Sequence, residues 1–288
     1  MTTTSPLWGA ELDHIRLDSD NPEQLAAFYR DAFAMAENHL DDGSRLLQGR
    51  DRRLIIGAGA TGEQPYSAFR LPDETRLQAY KSHLTTQGVN LMPSPTPLFG
   101  QNAFAVADPD GRQMVFGLPN PAHLSDDGPD GHPPGRLQHV VVATAELAPM
   151  VEFYEKTLGF VATDHVLRDE EDGSQTLTAI FYRSTPEHHS FAMFLSDGAR
   201  PDHHAYEVSC WNDIRDWGDH FSEQRIPIVW GAGRHGAGNN LFIFVEDPDG
   251  NKVEISAEIE SMTWEQEPRE WPHEERTLNL WGTAWLRS

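Results

Sequence analysis

The chain has 288 residues, 38% of them hydrophobic, with 22 Lys and Arg against 45 Asp and Glu, a formal net charge of −23. So acidic a protein repels nucleic-acid phosphate and anionic lipid, which excludes both as expected partners, while the length allows a sizeable core in one large or two small domains. A single cysteine, Cys210, rules out an intrachain disulfide framework and suits a reducing compartment.

The opening Met-Thr-Thr-Thr-Ser-Pro lacks the basic-then-apolar order of a signal peptide. No apolar stretch approaches the roughly 20 residues of a membrane span, so a soluble cytoplasmic protein is expected. His14-Ile15-Arg16-Leu17 is a β-prone opening, and Asn21-Pro22 then supplies a cap and a first-turn proline for a helix. Residues 119–135, rich in Pro, Gly and Asp, read as a linker. His139-Val140-Val141-Val142 is a second β-prone opening. A helix is expected from Thr144, burying Leu147, Met150, Val151, Tyr154 and Leu158 along one face and stopping at Gly159. Thr176–Tyr182 and Leu241–Val245 read as strands, with Asp-Pro-Asp-Gly as the hairpin turn before the last one. From Ala257 the pattern gives way to a tail carrying four of the eight tryptophans, Trp264, Trp271, Trp281 and Trp285. So many aromatics are costly to leave in water, and the tail is expected to pack on the body or on a neighbouring subunit.

Comparing the chain with itself shows two related halves. Leu12-Asp13-His14-Ile15 resembles Leu137-Gln138-His139-Val140, and a Phe-Tyr pair follows each histidine by fourteen residues (28 − 14 and 153 − 139). Asp-Pro-Asp-Gly closes each half, at Asp108 to Gly111 and at Asp247 to Gly250. Three anchors in the same order mark a duplication.

With His139 in Leu-Gln-His-Val-Val-Val, His203 in Asp-His-His-Ala-Tyr-Glu-Val and Glu254 in Asp-Pro-Asp-Gly-Asn-Lys-Val-Glu, nearly the whole chain resembles a type I extradiol ring-cleaving dioxygenase of the vicinal oxygen chelate superfamily. The resemblance implies an α+β fold of tandem βαβββ modules, forming two vicinal oxygen chelate domains with the metal in the C-terminal one. The implied organisation is an N-terminal domain with a degenerate metal site over residues 1–118, the linker at 119–135, a catalytic domain over 136–256 and the tail at 257–288.

The implied ligands are His139, His203 and Glu254. Two imidazoles and a carboxylate on Fe(II), or on Mn(II), leave three positions open, here for a small aromatic diol and O2. His203 rather than His204 is chosen because strand residues alternate faces: Tyr206 and Val208 share the side of His204 and should meet the helix. The corresponding positions of the first half are His14, Tyr66 and Val115, so only the second half is expected to hold a metal.

His189, fourteen residues before His203, matches the family's distal-pocket acid, a role that needs a pKa near the working pH. His235 fits the Gly-x-His signature and would assist on the substrate side, with Phe181 and Phe244 as further substrate contacts. Phe244 departs from the family, which has a tyrosine three residues before this Asp-Pro. The expected activity is cleavage of a catechol-type ring beside its two hydroxyls, giving a hydroxymuconic semialdehyde-type product, by a homo-oligomer. A hydroquinone-cleaving or other metal-dependent enzyme of the superfamily, or a non-catalytic small-molecule-binding protein of this fold, is the alternative.

Overall fold

The computed structural model describes residues 5–123 and 133–285. The first four residues and most of the expected linker, 124–132, lie outside the described residues. The rest forms two sheets of eight and nine strands with helices on their faces.

Each sheet is built from two strand–helix–three-strand units, the second sheet gaining a ninth strand, Arg269–Pro272, from the tail, so the chain holds four such units where the sequence reading followed one per half. In the first sheet the units open with strands Glu11–Ser19 and Glu63–Arg70, followed by helices Pro22–Ala32 and Glu74–Thr86. In the second they open with Arg136–Thr144 and Arg200–Val208, followed by helical segments spanning Leu147–Leu158 and Trp211–Glu223. Within each sheet the two opening strands pair antiparallel at the centre, and each also pairs in parallel with the last strand of its own unit. Parallel pairing of that kind needs a crossover, which the helix supplies.

Local chemistry explains where the elements start and stop. Asn21 accepts a hydrogen bond from the Gln24 amide with Pro22 at the first helical position, as the sequence suggests. Thr144 does not begin the second helix. It is the last residue of its strand, its hydroxyl accepts from the Glu146 amide at 3.2 Å, and the helix starts at Leu147. Gly159 ends that helix at φ 83°, a left-handed conformation that favours glycine. The second Asp-Pro-Asp-Gly turn joins Leu241–Glu246 to Lys252–Ala257, which pair antiparallel.

One continuous apolar core spans both halves, running from Leu25, Tyr29 and Phe33 to Tyr206, Trp217 and Phe221. Two of the repeated sequence anchors meet in it reciprocally. Tyr29 of the first half donates to Asp247 of the second at 2.9 Å, and Tyr154 of the second donates to Asp108 of the first at 3.1 Å. Burial pushes both carboxyls up, that of Asp247 to about 6, even though each is also bonded within its own turn. The Phe-Tyr and Asp-Pro-Asp-Gly anchors therefore do more than shape their own modules: each tyrosine joins the two halves. Tyr29→Phe and Tyr154→Phe should each lower stability by about 1–2 kcal/mol, because each leaves a buried carboxyl short of a donor. Chemical denaturation checks this, and unchanged midpoints in both variants would show that the contacts do not hold the halves together.

Candidate metal centre

Three neighbouring strands bring the site together. Ala205, on Arg200–Val208, lies opposite His139 on one side and opposite Glu254 on the other. His203 is two residues before Ala205 and so shares its face. The donor atoms of His139, His203 and Glu254 lie within 4.8 Å of one another and are buried. His204 points the opposite way, into the core between the halves, where its Nε2 meets the Tyr29 hydroxyl at 3.3 Å.

The same register in the first sheet places Ala68 opposite both His14 and Val115, with Tyr66 two residues earlier. Valine has no donor to offer there. His14 is held through Nδ1 by Asp13 at 2.6 Å and through Nε2 by Thr96 at 2.8 Å. Among the described residues, no metal-holding cluster forms in that half.

In the second half the hydrogen bonds leave both imidazoles ready to donate. Nδ1 of His139 meets Gln138 Oε1 at 2.6 Å, and Nδ1 of His203 meets Asp202 Oδ1 at 2.6 Å. Nδ1 thus carries the proton and Nε2 keeps its lone pair, the arrangement that metal-ligating histidines require. Both Nε2 atoms converge on one oxygen, Glu254 Oε2, at 3.1 and 3.2 Å. The other oxygen accepts from Asn240 at 3.2 Å and lies 3.5 Å from His235 Nε2.

Glu254 has 1% of its side chain exposed. Burial alone would raise its pKa, but the three surrounding histidines hold it well below the usual carboxylate range. Burial lowers the pKa of His139. His203 goes the other way, because Asp202 and Glu254 on either side outweigh its burial and raise it. The buried carboxylate is thus surrounded by nitrogen atoms that a shared cation would bring together. These donors fit a divalent ion: two neutral imidazoles, one carboxylate, and a shared point toward which all three lean.

A narrow pocket opens above the cluster. His189, His235, Phe181 and Phe244 all line it, together with Val141, Phe194 and Trp230. The His189 ring lies 4.4 Å from that of His139 and 5.2 Å, edge-on, from that of Phe181. Burial, with His139 and His188 adding to it, holds His189 well below its ordinary pKa, a departure from the pKa near the working pH expected for an acid, because its Nδ1 meets another imidazole, that of His188, rather than a carboxylate. His235 stacks on Phe242, with ring centroids 4.0 Å apart, and its Nδ1 donates to the Leu278 carbonyl at 2.5 Å.

The tail forms part of this wall. Thr277 and Leu278 line the pocket, Trp285 packs on Trp230 and Trp271 joins the same apolar cluster. Trp264 meets Trp8 edge-on, whereas Trp281, 54% exposed, rests only partly covered against Trp211. Sequence reasoning missed Gln138, Asp202 and Asn240, which orient the three donors. A signal was present for two of them: Asp13, Gln138 and Asp202 each stand immediately before a histidine that opens toward a cup.

Residues 136–255 match the Glyoxalase/Bleomycin resistance protein/Dioxygenase superfamily. Metapyrocatechase 2 of Cupriavidus necator is 31% identical over 153 residues, which is 52% of this chain and 45% of that one. The 3-methylcatechol 2,3-dioxygenase of Pseudomonas putida is 26% identical over 220 residues, 72% of this chain and 75% of that one. The structure of homoprotocatechuate 2,3-dioxygenase from Arthrobacter globiformis superposes with a TM-score of 0.81 at 20% identity, covering 99% of this chain and 91% of that one. The first match thus spans less than half of its relative's length, whereas the fold is shared over nearly the whole chain. The second half of the chain thus matches the model of this superfamily, and the fold over nearly the whole chain is shared with that solved structure.

The purified protein should carry about one divalent metal ion per chain. Glu254→Ala should lose it, and chelation should lower the thermal midpoint of the wild type, since a ligand that binds only the folded state stabilises it. Elemental analysis and a thermal melt check both. Stoichiometric metal retained in Glu254→Ala would place the ion elsewhere.

Proposed function

We propose that this enzyme is a non-haem Fe(II)-dependent extradiol dioxygenase that opens a catechol-type ring with O2 beside its two hydroxyls, giving a hydroxymuconic semialdehyde-type product. Mn(II) suits the same donors. The observation that carries the reading is the buried cluster of two imidazoles and one carboxylate at the floor of an aromatic pocket, with two further histidines beside it.

His139, His203 and Glu254 would hold the ion, which when bound chelates a diol, lowers the pKa of its hydroxyls and gives O2 a route to the ring electrons. The remaining steps fall to the chain's own side chains. Val141, Phe181, Phe194 and Trp230 exclude water and confine a flat ring above the donors. His189, neutral because of its burial, can take a proton from a substrate hydroxyl and later return it to a product oxygen. With its Nδ1 committed to Leu278, His235 offers Nε2 on the pocket side. Phe244 keeps an aromatic wall, edge-on to His203 with centroids 5.2 Å apart, but has no hydroxyl, so proton handling rests on the two histidines.

Neither lysine nor arginine is among the described residues lining the pocket. A ring bearing a carboxylate would be desolvated there without a partner, so unsubstituted, alkyl- or halo-catechols are the favoured class. Cleavage of a hydroquinone is the second reading, supported by the missing hydroxyl at Phe244.

Oxygen uptake with a panel of diols tests the reading. Catechol and alkylcatechols should be turned over with a kcat/KM at least ~10-fold above carboxylated catechols. Turnover of hydroquinones alone would establish the second reading, and no oxygen uptake by metal-loaded protein on any diol would overturn both. His189→Phe should keep its metal and bind catechols but lose about 10²–10⁴ in kcat and leak peroxide. Unchanged turnover would move the role to His235. Phe244→Tyr adds a hydroxyl to the pocket that His203 and His235 also line, where a polar partner would reduce the desolvation cost. It should raise or redirect catechol cleavage in the same assays, and no change in kcat or KM on any diol would show that position 244 does not touch the substrate.

A further inference from the structure

A chain of buried polar side chains leads away from the pocket on the side of His189. Nδ1 of His189 lies 2.9 Å from Nδ1 of His188, and Nε2 of His188 lies 2.8 Å from Asp164 Oδ2. Arg269, in the tail strand Arg269–Pro272, grips the same carboxylate with Nε at 2.7 Å and Nη2 at 3.1 Å. That strand pairs in parallel with Val161–Asp169 in a register that sets Arg269 opposite Asp164.

The tail also fixes the pair from a second direction. The His188 amide donates to the Glu260 carbonyl at 2.8 Å, and the Glu260 side chain binds Arg269 at 2.8 Å. Gly238, at φ +88°, passes so close that a Cβ there would sit 3.3 Å from His188 Nδ1 and 3.5 Å from His189 Cε1.

The direction of the hydrogen bonds follows from the charges. Asp164 is an ionised acceptor, because the Arg269 fork faces both of its oxygens. It must accept from His188 Nε2–H. A neutral His188 then has only a lone pair at Nδ1, so His189 must donate its own Nδ1–H into it. That leaves His189 Nε2 unprotonated in the pocket that His189 lines.

We propose that His188, Asp164 and Arg269 are positioning residues for His189, fixing it in the Nδ1–H tautomer and making the C-terminal tail part of the proton-handling site. The inference rests on the reading of His189 as the group that moves the proton. His189 Nε2 takes the proton of a substrate hydroxyl, the O–H bond breaking as the N–H bond forms, and later gives the same proton to a product oxygen. Between those events the ring is a cation, and its Nδ1–H points through His188 toward the Asp164 carboxylate. A carboxylate oriented behind an imidazole performs the same two tasks in hydrolytic triads, selecting the tautomer and stabilising the cation. Here a second imidazole stands between them.

The test uses the metal-loaded full chain and Asp164→Asn, an isosteric change whose amide can donate to His188 and reverse the order of the hydrogen bonds. With catechol as substrate, kcat should fall about 10–100-fold while metal content and KM stay within about twofold of wild type. In a His189→Phe background the same change should cost nothing further, since the residues act through His189. Losses that multiply in the double variant would mean that Asp164 only supports the fold, which overturns the proposal.

Nitrogen-15 spectra of histidine-labelled metal-free protein give a readout independent of turnover. His189 should show a protonated Nδ1 and a bare Nε2 in the wild type, reversed or mixed in Asp164→Asn. A wild-type His189 protonated at Nε2 would overturn the proposal even if Asp164→Asn does not fold. Arg269→Gln, altered in the tail alone, should show the same kinetic pattern more weakly. A wild type with the expected tautomer but no activity on any diol would sink the catalytic reading and leave the hydrogen-bonded chain in place.

Discussion

A carboxylate taken out of water needs positive charge beside it, and Glu254 is buried almost completely on the central strands of the second sheet. Two imidazoles lean on one of its oxygens, while a third histidine and an asparagine approach the other. This requirement orders the surroundings. Gln138 and Asp202 turn the two histidines so that their lone pairs face inward, Asn240 steadies the carboxylate, and aromatic rings seal the space above. A divalent cation shared by the two imidazoles and the carboxylate meets this requirement, and it leaves sites open for small oxygen ligands.

The same cup occurs twice, and the contrast between its copies shows how little separates a structural site from a chemical one. Register and strand order are shared. In the first half Val115 stands where Glu254 stands, and His14, lacking a carboxylate opposite it, spends both nitrogens on Asp13 and Thr96. The first half still contributes to the second, since Tyr29 and Tyr154 exchange hydrogen bonds across the shared core. The face opposite the cup of each sheet is thereby held by its partner.

Much of this was legible in the sequence. Three anchors in one order disclosed the duplication, and strand alternation chose His203 over His204, the side chain that does turn into the core between the halves. The second unit of each half went unread, although Ile214, Trp217 and Phe221 carry a helical spacing as plain as that of the helix that was read. Thr144 looked like a helix start because threonine caps helices, but its hydroxyl serves the turn before the helix. The chain Asp164–His188–His189 could not be read in advance. Its members are joined by sheet register and by a tail strand more than a hundred residues from Asp164, and neither leaves a local pattern.

The central claim is that the buried charge of Glu254 is balanced by one metal ion shared with His139 and His203. Anomalous diffraction from crystals of catalytically active protein, collected on either side of the absorption edge of the metal found by elemental analysis, tests it most directly. The account predicts a single peak per chain, within bonding distance of both Nε2 atoms and a Glu254 oxygen. A peak elsewhere, with the three side chains still touching one another as they do here, would contradict it.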